Sequence, residues 1–119
     1  MKKLVYLSHP SSGLKCNTDK ITAIMQRIYK EKDLTDQFTF VSPIHNFGHM
    51  YHMTDYETGL EFCVDLLSRC ELMLMFDNWE RSRGCTREYA YCLEHNIKVI
   101  KIADINELEE FIRKKEIYI

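Results

Sequence analysis

Apolar positions along this chain follow two patterns, short continuous runs and longer stretches with helical spacing. The continuous runs predict buried strands at residues 3–8, 38–41, 71–76 and 97–102, with a fifth, edge strand at residues 117–119. Between the first four runs, and after the fourth, apolar residues recur every three or four positions, as in amphipathic helices that cover a sheet. This alternation predicts a parallel sheet with helices on both faces.

Polar residues mark where the predicted helices begin and end. The expected starts, in chain order, are Asn17 or Thr18, a capping box of Thr54 with Glu57, then Glu88, and a second capping box of Asp104 with Glu107. The first helix should end near Lys32 and the second near Arg69. The helix that Glu88 opens should end with Asn96 as a left-handed cap.

The simplest topology for these units is a flavodoxin-like, doubly wound α/β fold with about five strands in the order 2-1-3-4-5. We expect residues 1–119 to form a single domain, since a chain of this length buries enough surface for one core. The order reverses between strands 1 and 3. The loops at residues 8–16 and 77–84 should therefore line one crevice, where such sheets bind ligands.

Charge and cysteine content narrow the class of protein. Lys and Arg number 16 against 18 for Asp and Glu, giving a net charge of −2, which argues against a nucleic-acid polymer or a membrane surface as partner. The apolar N-terminal run is too short for a signal peptide or a membrane span, so we expect a cytoplasmic protein. The 5 cysteines include no Cys-x-x-Cys pair, and we expect reduced thiols that fill space in the core.

Two acidic residues are the strongest candidates for chemistry. Glu88 is expected in the first turn of its helix, where the helix dipole would keep it ionised, as a nucleophile or as a plain helix-start charge. Asp65 lies within an otherwise apolar helix segment and is either a general acid leaning into the crevice or an outward-facing charge. Two carboxyl groups with separated pKa values are what glycosidic cleavage through a covalent intermediate requires.

Loop residues supply the candidate binding groups. The loop after strand 1 contains Ser8, His9, Pro10 and Gly13, and it either contacts a phosphate or is ordinary turn chemistry. The crevice loop after strand 3 contains further candidates, which are Asp77, Trp79, Ser82 and Gly84. The tryptophan either stacks on a planar ring or covers the end of the sheet.

Three histidines, His45, His49 and His52, have a spacing that suggests a metal site. Pro43 and Gly48 argue against a continuous helix that would place them on one face. We therefore expect no metal and no cofactor. A polar lid or substrate loop is favoured instead, with His45 as the residue to test.

Several residues in order also resemble a known family over nearly the whole chain. They are Val5-Tyr6-Leu7-Ser8 with Pro10 and Gly13, Ser42-Pro43, Asp65-Leu66 with Cys70, and Trp79-Glu80-Arg81-Ser82-Arg83-Gly84 followed by Glu88 and Ala90. In this order and spacing the chain resembles the nucleoside 2-deoxyribosyltransferase-like proteins, including a small, often phage-borne branch.

The resemblance implies a role for three residues. Glu88 would attack C1′ of the sugar, Asp65 would act as acid or base at the nucleobase, and Tyr6 would orient the nucleophile. Ser82 stands where related deoxynucleoside 5′-monophosphate N-glycosidases carry a phosphate-binding serine, which favours a nucleotide and hydrolysis. His9 and Ser12 differ from the Gly and Arg of those hydrolases, so the phosphate contacts must differ or be absent. Relatives form dimers or larger assemblies, so the resemblance also implies a homo-oligomer.

The expected function is cleavage of the N-glycosidic bond of a small-molecule nucleoside or nucleotide, by hydrolysis or base exchange. Two alternatives remain open. One is a protein that binds or senses a nucleotide-like ligand without turnover, and the other is a structural or interaction domain on a common fold.

Overall fold

Four parallel strands form one sheet in the order β2-β1-β3-β4. A computed structural model describes residues 1–11, 14–48 and 53–119. The strands are β1 (Lys3–Ser8), β2 (Phe38–Val41), β3 (Leu72–Met75) and β4 (Lys98–Lys101). The flavodoxin-like α/β class and the order of the first four strands are confirmed, with one strand fewer than expected in the described part of the chain.

Helices lie on both faces of this sheet. They are α1 (Lys15–Tyr29), α2 (Lys32–Gln37), α3 (Pro43–Phe47), α4 (Tyr56–Leu67), α5 (Arg83–His95) and α6 (Ile105–Arg113), with a 3₁₀ turn at Trp79–Arg81. The short helices α2 and α3 were not predicted. They lie where the sequence suggested the end of the first helix and a polar connection.

The two faces of the sheet carry separate apolar cores. On β1, Val5 and Leu7 pack with residues of α1 and α6, whereas Tyr6 packs with residues of α4 and α5. Side chains alternate along a strand, so Ser8 lies on the same face as Tyr6. The strand thus directs two hydroxyl groups toward α4 and α5.

Three predicted helix starts are wrong. Helix α1 begins at Lys15, with Leu14 at the N-cap in place of Asn17 or Thr18. It begins early because the backbone already turns where Leu14 N donates to Ser11 O at 2.9 Å. The N-cap of α4 is Asp55, which accepts from Thr58 N at 2.8 Å, so Thr54 and Glu57 form no capping box there.

The start of α5 bears directly on the candidate nucleophile. Ser82 caps this helix by accepting a hydrogen bond from Cys85 N at 3.2 Å. Glu88 is therefore the sixth residue of α5 and does not lie in its first turn. The predicted end is confirmed, since Asn96 adopts the left-handed conformation at φ 57°. Asp104 also caps α6 as predicted, accepting from Glu107 N at 3.0 Å.

The predicted fifth strand at residues 117–119 is wrong. After α6 the backbone turns at Lys115, which has φ 55°. Ile117 then packs into the core that contains α1 and α6. The last residues therefore contribute a side chain to the core, and β4 remains the edge of the sheet among the described residues.

Candidate functional site

Glu88 is a buried carboxyl group held by two hydroxyls from β1. Its side chain is 5% exposed. Ser8 Oγ donates to Glu88 Oε1 at 2.8 Å, and Tyr6 Oη donates to Glu88 Oε2 in a short hydrogen bond. Because Tyr6 and Ser8 lie two residues apart on one strand, both hydroxyls reach the same side chain on α5.

Burial controls the charge of this carboxyl group. Loss of solvation raises the pKa of Glu88 to about 7, although the hydrogen bonds from Tyr6 and Ser8 act in the opposite direction. The expected ionisation by the helix dipole is wrong. The free N–H groups of a helix are found in its first turn, and Glu88 lies beyond that turn of α5. Near neutral pH the group is present in both protonation states.

Glu88 lies at a pocket of about 220 Å³. The pocket is formed by the end of β1 and by α3, α4 and α5. Its wall is largely apolar and aromatic, and its lining residues are His9, Ser11, Pro43, Ile44, Phe47, Thr54, Asp55, Tyr56, Gly59, Leu60, Phe62, Cys63, Ser82, Gly84, Cys85 and Glu88. Such a concave, mostly apolar site with a few polar groups is typical of small-molecule binding.

Several predicted site residues meet at this pocket. His9, Ser82 and Gly84 line it, and Tyr6 and Ser8 contact Glu88. His9 Nδ1 donates to Pro10 O at 2.7 Å, and burial lowers the pKa of the imidazole, so its Nε2 is a neutral acceptor. Pro10 is buried and does not line the pocket, but its carbonyl orients the His9 ring.

Asp65 is not part of the pocket. Its side chain is exposed on α4 and is absent from the pocket lining. The inward face of this helix carries Leu60, Cys63 and Leu67, at spacings of three and four residues. Asp65 falls two positions after Cys63, which turns its side chain away from that face. The structure therefore supports the outward-facing alternative, and a placement across from Glu88 is wrong.

His45 is also outside the pocket, and its side chain forms hydrogen bonds within the protein. Its Nε2 lies 2.9 Å from Thr22 Oγ1, and its Nδ1 lies 2.8 Å from Ser42 Oγ. The imidazole thus joins α1 to the start of α3. His45 therefore does not line the pocket, where a substrate contact was predicted.

Asp77 and Trp79 do not line the pocket. Asp77 is exposed, and its backbone N–H donates to Ala103 O at 2.9 Å. The Trp79 ring packs edge-on against Tyr89 at 5.0 Å, with Lys101 Nζ 5.0 Å above it. Trp79 covers the end of the sheet, which is the second of the two predicted roles.

Three predicted positions, Gly13, His49 and His52, lie outside the described residues. Among the residues that are described, no cluster of three or more His, Cys, Asp or Glu side chains is arranged to hold a metal ion. Within the same described ranges, no helix combines the length and the apolar character needed to cross a membrane.

Sequence reasoning missed most of the pocket wall. Cys63 and Cys85 both line it, and burial raises the pKa of each thiol to about 11. Cys85 and Cys92, seven residues apart, are both buried as expected, and Glu88 lies between them on the same face of α5. That spacing was the available signal that Glu88 points inward.

Asp55 is the other missed residue of chemical interest. It lines the pocket while capping α4, and the hydrogen bond from Thr58 N lowers the pKa of its carboxyl group. The site thus contains one exposed carboxylate and one buried carboxyl group that titrates near neutrality. Such a pair can act on a substrate that approaches Glu88 from the pocket.

Comparison with known protein families gives a match over most of the chain. Residues 3–101 match the model of the family described as Domain of unknown function (DUF4406). Neither the curated proteins nor the solved structures contain a match to this chain.

Proposed function

Because the chain belongs to the DUF4406 family, whose description states no activity, we propose its function from the chemistry of the pocket. The proposed function is cleavage of the N-glycosidic bond of a nucleoside or nucleotide, with Glu88 as the nucleophile. The observation that supports it is a buried carboxyl group, held by Tyr6 and Ser8, at the wall of a pocket at the carboxyl end of β1.

The reaction uses the ionised form of Glu88. One carboxylate oxygen attacks the anomeric carbon, and the bond to the base breaks with its electron pair leaving on the base nitrogen. Water or a second base then attacks the same carbon and releases the carboxylate, and the proton that this nucleophile loses is taken up by the base that has departed. Tyr6 and Ser8 fix the carboxylate orientation, and each oxygen retains a lone pair for attack.

The test is to trap the sugar on the protein. After incubation with a panel of nucleosides and their 5′-monophosphates, mass spectrometry should detect free base and a glycosyl adduct on the peptide that contains Glu88. Glu88→Gln should lose both products. Glu94→Gln is the matched control, because Glu94 lies on the same helix and is exposed. A panel that binds without adduct or base release would contradict the proposal.

The exposed position of Asp65 favours a second candidate function, which is binding of a nucleotide-like ligand without turnover. The chain then uses the same pocket to sequester or sense the ligand. Calorimetry on the same panel separates the two. Saturable binding that Glu88→Gln weakens, without product, supports the binding function.

A further inference from the structure

The charge of the pocket is negative. Among the described residues that line it, Asp55 and Glu88 carry ionisable carboxyl groups, and none is Lys or Arg. His9 adds no positive charge at neutral pH, because burial lowers the pKa of its imidazole. A ligand in this pocket therefore meets carboxylate groups and no opposing cation on the described wall.

Two arginines near the start of α5 lie outside this lining. Arg83 and Arg87 both pair with Glu57, the second at 3.1 Å, and neither lines the pocket. The Arg83 guanidinium lies 5.3 Å from the centre of the Tyr56 ring. Like Asp55, these side chains are exposed, so solvent and salt screen the charges of all three residues.

The described pocket also lacks a group suited to protonate a departing base. Asp65 is exposed elsewhere, Asp55 is held ionised, and the thiols of Cys63 and Cys85 are weak acids with pKa values of about 11. The Nδ1 proton of His9 is already donated to Pro10 O. A neutral base that must be protonated in order to leave therefore finds no suitable proton donor among the described lining residues.

We propose that the pocket selects N-glycosides whose base carries a fixed positive charge, such as an N-alkylated purine or a pyridinium base. This inference rests on the proposed function. The carbon–nitrogen bond breaks with its electron pair moving to the cationic nitrogen, which leaves as a neutral base without a proton. The ester on Glu88 is hydrolysed by water, and the products are the free sugar, the neutral base and one proton.

The aromatic part of the wall fits the same class of ligand. Phe47 and Phe62 line the pocket with ring centres 6.0 Å apart, and Tyr56 lines it beside Asp55. Aromatic faces attract a delocalised cation, and a nearby carboxylate adds to that attraction.

The test compares two substrates that differ in charge, 7-methylguanosine and guanosine, each as the ribo and 2′-deoxy form. We expect kcat/KM to be about a hundredfold higher for the cation, because it needs no general acid and is attracted by the pocket. A cationic base also leaves faster in free solution, so a protein variant must isolate the contribution of the pocket.

Asp55→Asn is that variant. Asparagine caps a helix as well as aspartate does, so α4 keeps its start while the pocket loses one negative charge. We expect the ratio of kcat/KM for 7-methylguanosine to kcat/KM for guanosine to fall about threefold, as is typical for the loss of one exposed charge, whatever the variant does to the two values separately. Calorimetric affinities on the same proteins should change in the same direction, and circular dichroism checks the fold.

The outcomes separate this inference from the proposed function. If guanosine is cleaved as efficiently as 7-methylguanosine, the inference is overturned and the proposed glycosidic cleavage stands. Tighter binding of the cation without base release supports selection by charge and overturns cleavage. If Asp55→Asn leaves the preference for the cationic nucleoside unchanged, the role of the pocket charge is overturned. If the protein neither binds nor cleaves either nucleoside, both proposals are overturned.

Discussion

At the scale of single residues, Glu88 links stability to the proposed chemistry. Its carboxyl group is buried at the pocket where we propose that it reacts, and this burial raises its pKa to about 7. Between its ordinary value of 4.5 and about 7, the folded protein binds more protons at this site than the unfolded chain. The contribution of Glu88 to the free energy of unfolding is therefore fully present below pH 4.5 and is lost as the pH rises through about 7.

Replacing Glu88 with Gln should stabilise the protein at alkaline pH. The amide remains uncharged, so the cost of a buried carboxylate disappears, and we expect a gain on the order of 3 kcal/mol at pH 8. At pH 5 the gain should shrink toward zero. Urea unfolding at both pH values measures the change, with Glu94→Gln as the control. A gain that is equal at the two pH values would contradict the assigned burial cost.

Tyr6→Phe should shift the pH dependence of the reaction. The tyrosine hydroxyl stabilises the ionised form of Glu88, so its removal raises the pKa of Glu88 further. We expect the acidic limb of the kcat/KM profile to move up by about one pH unit. Ser8→Ala should move it in the same direction. An unchanged profile in both variants would show that the reactive group is not Glu88.

At the scale of elements, the helix ends depend on individual residues. Asn96 ends α5 in the left-handed conformation, and its backbone N–H donates to Cys92 O. This end determines where the chain turns toward β4.

Asn96→Ala should destabilise the protein by about 1 kcal/mol, because a Cβ without a compensating polar group is disfavoured at φ 57°. Asn96→Gly should be close to neutral, since glycine adopts this conformation without strain. Urea unfolding at neutral pH compares the two variants. Equal losses in both would mean that the asparagine side chain, and not the backbone conformation, stabilises the end of α5.

The sequence predicted the strands better than the helix starts. Continuous apolar runs are required wherever a parallel strand is covered on both faces, and the ends of β1 to β4 were predicted to within one residue. Helix starts depend on local hydrogen bonds, such as that between Leu14 N and Ser11 O, which composition does not reveal. The capping box at Asp104 succeeded because its side chain itself supplies the hydrogen bond.

The candidate site was predictable in part. Family resemblance, and not periodicity, predicted that Tyr6 orients Glu88, and the structure joins Tyr6 and Ser8 to that carboxyl group. Asp65 failed because its position beside Cys63 and Val64 suggested the crevice, although helical phase directs it outward. The short helix α3 and the Asp55 cap, which complete the pocket, depend on tertiary packing.

At the scale of the whole molecule, the sheet separates two cores with different roles. The core against α1 and α6 is formed by aliphatic and phenylalanine side chains and includes Ile117 near the chain end. The core against α4 and α5 contains Tyr6 and Cys85, which contact or line the site. The first core therefore contributes stability without facing the pocket.

Ile117→Ala should cost about 2–4 kcal/mol in unfolding free energy, because the deleted methyl groups leave a cavity in the first core. Ile117 is 5% exposed, whereas Ile119 is 43% exposed and provides the matched control. We expect Ile119→Ala to cost less than about 1 kcal/mol. Thermal and urea unfolding test this, and similar losses in the two variants would contradict the packing of Ile117 in place of a fifth strand.

The contact between Leu60 and Gly84 has a consequence for redesign. A Cβ at Gly84 would lie 3.3 Å from Leu60 Cδ2, so α4 and α5 pack closely at the wall of the pocket. Shortening Leu60 to admit bulkier molecules would loosen the junction between α4 and α5 that positions Glu88. Engineering of ligand range should instead begin at Ile44 and Phe47, which are only half-buried and belong to a short helix away from that junction.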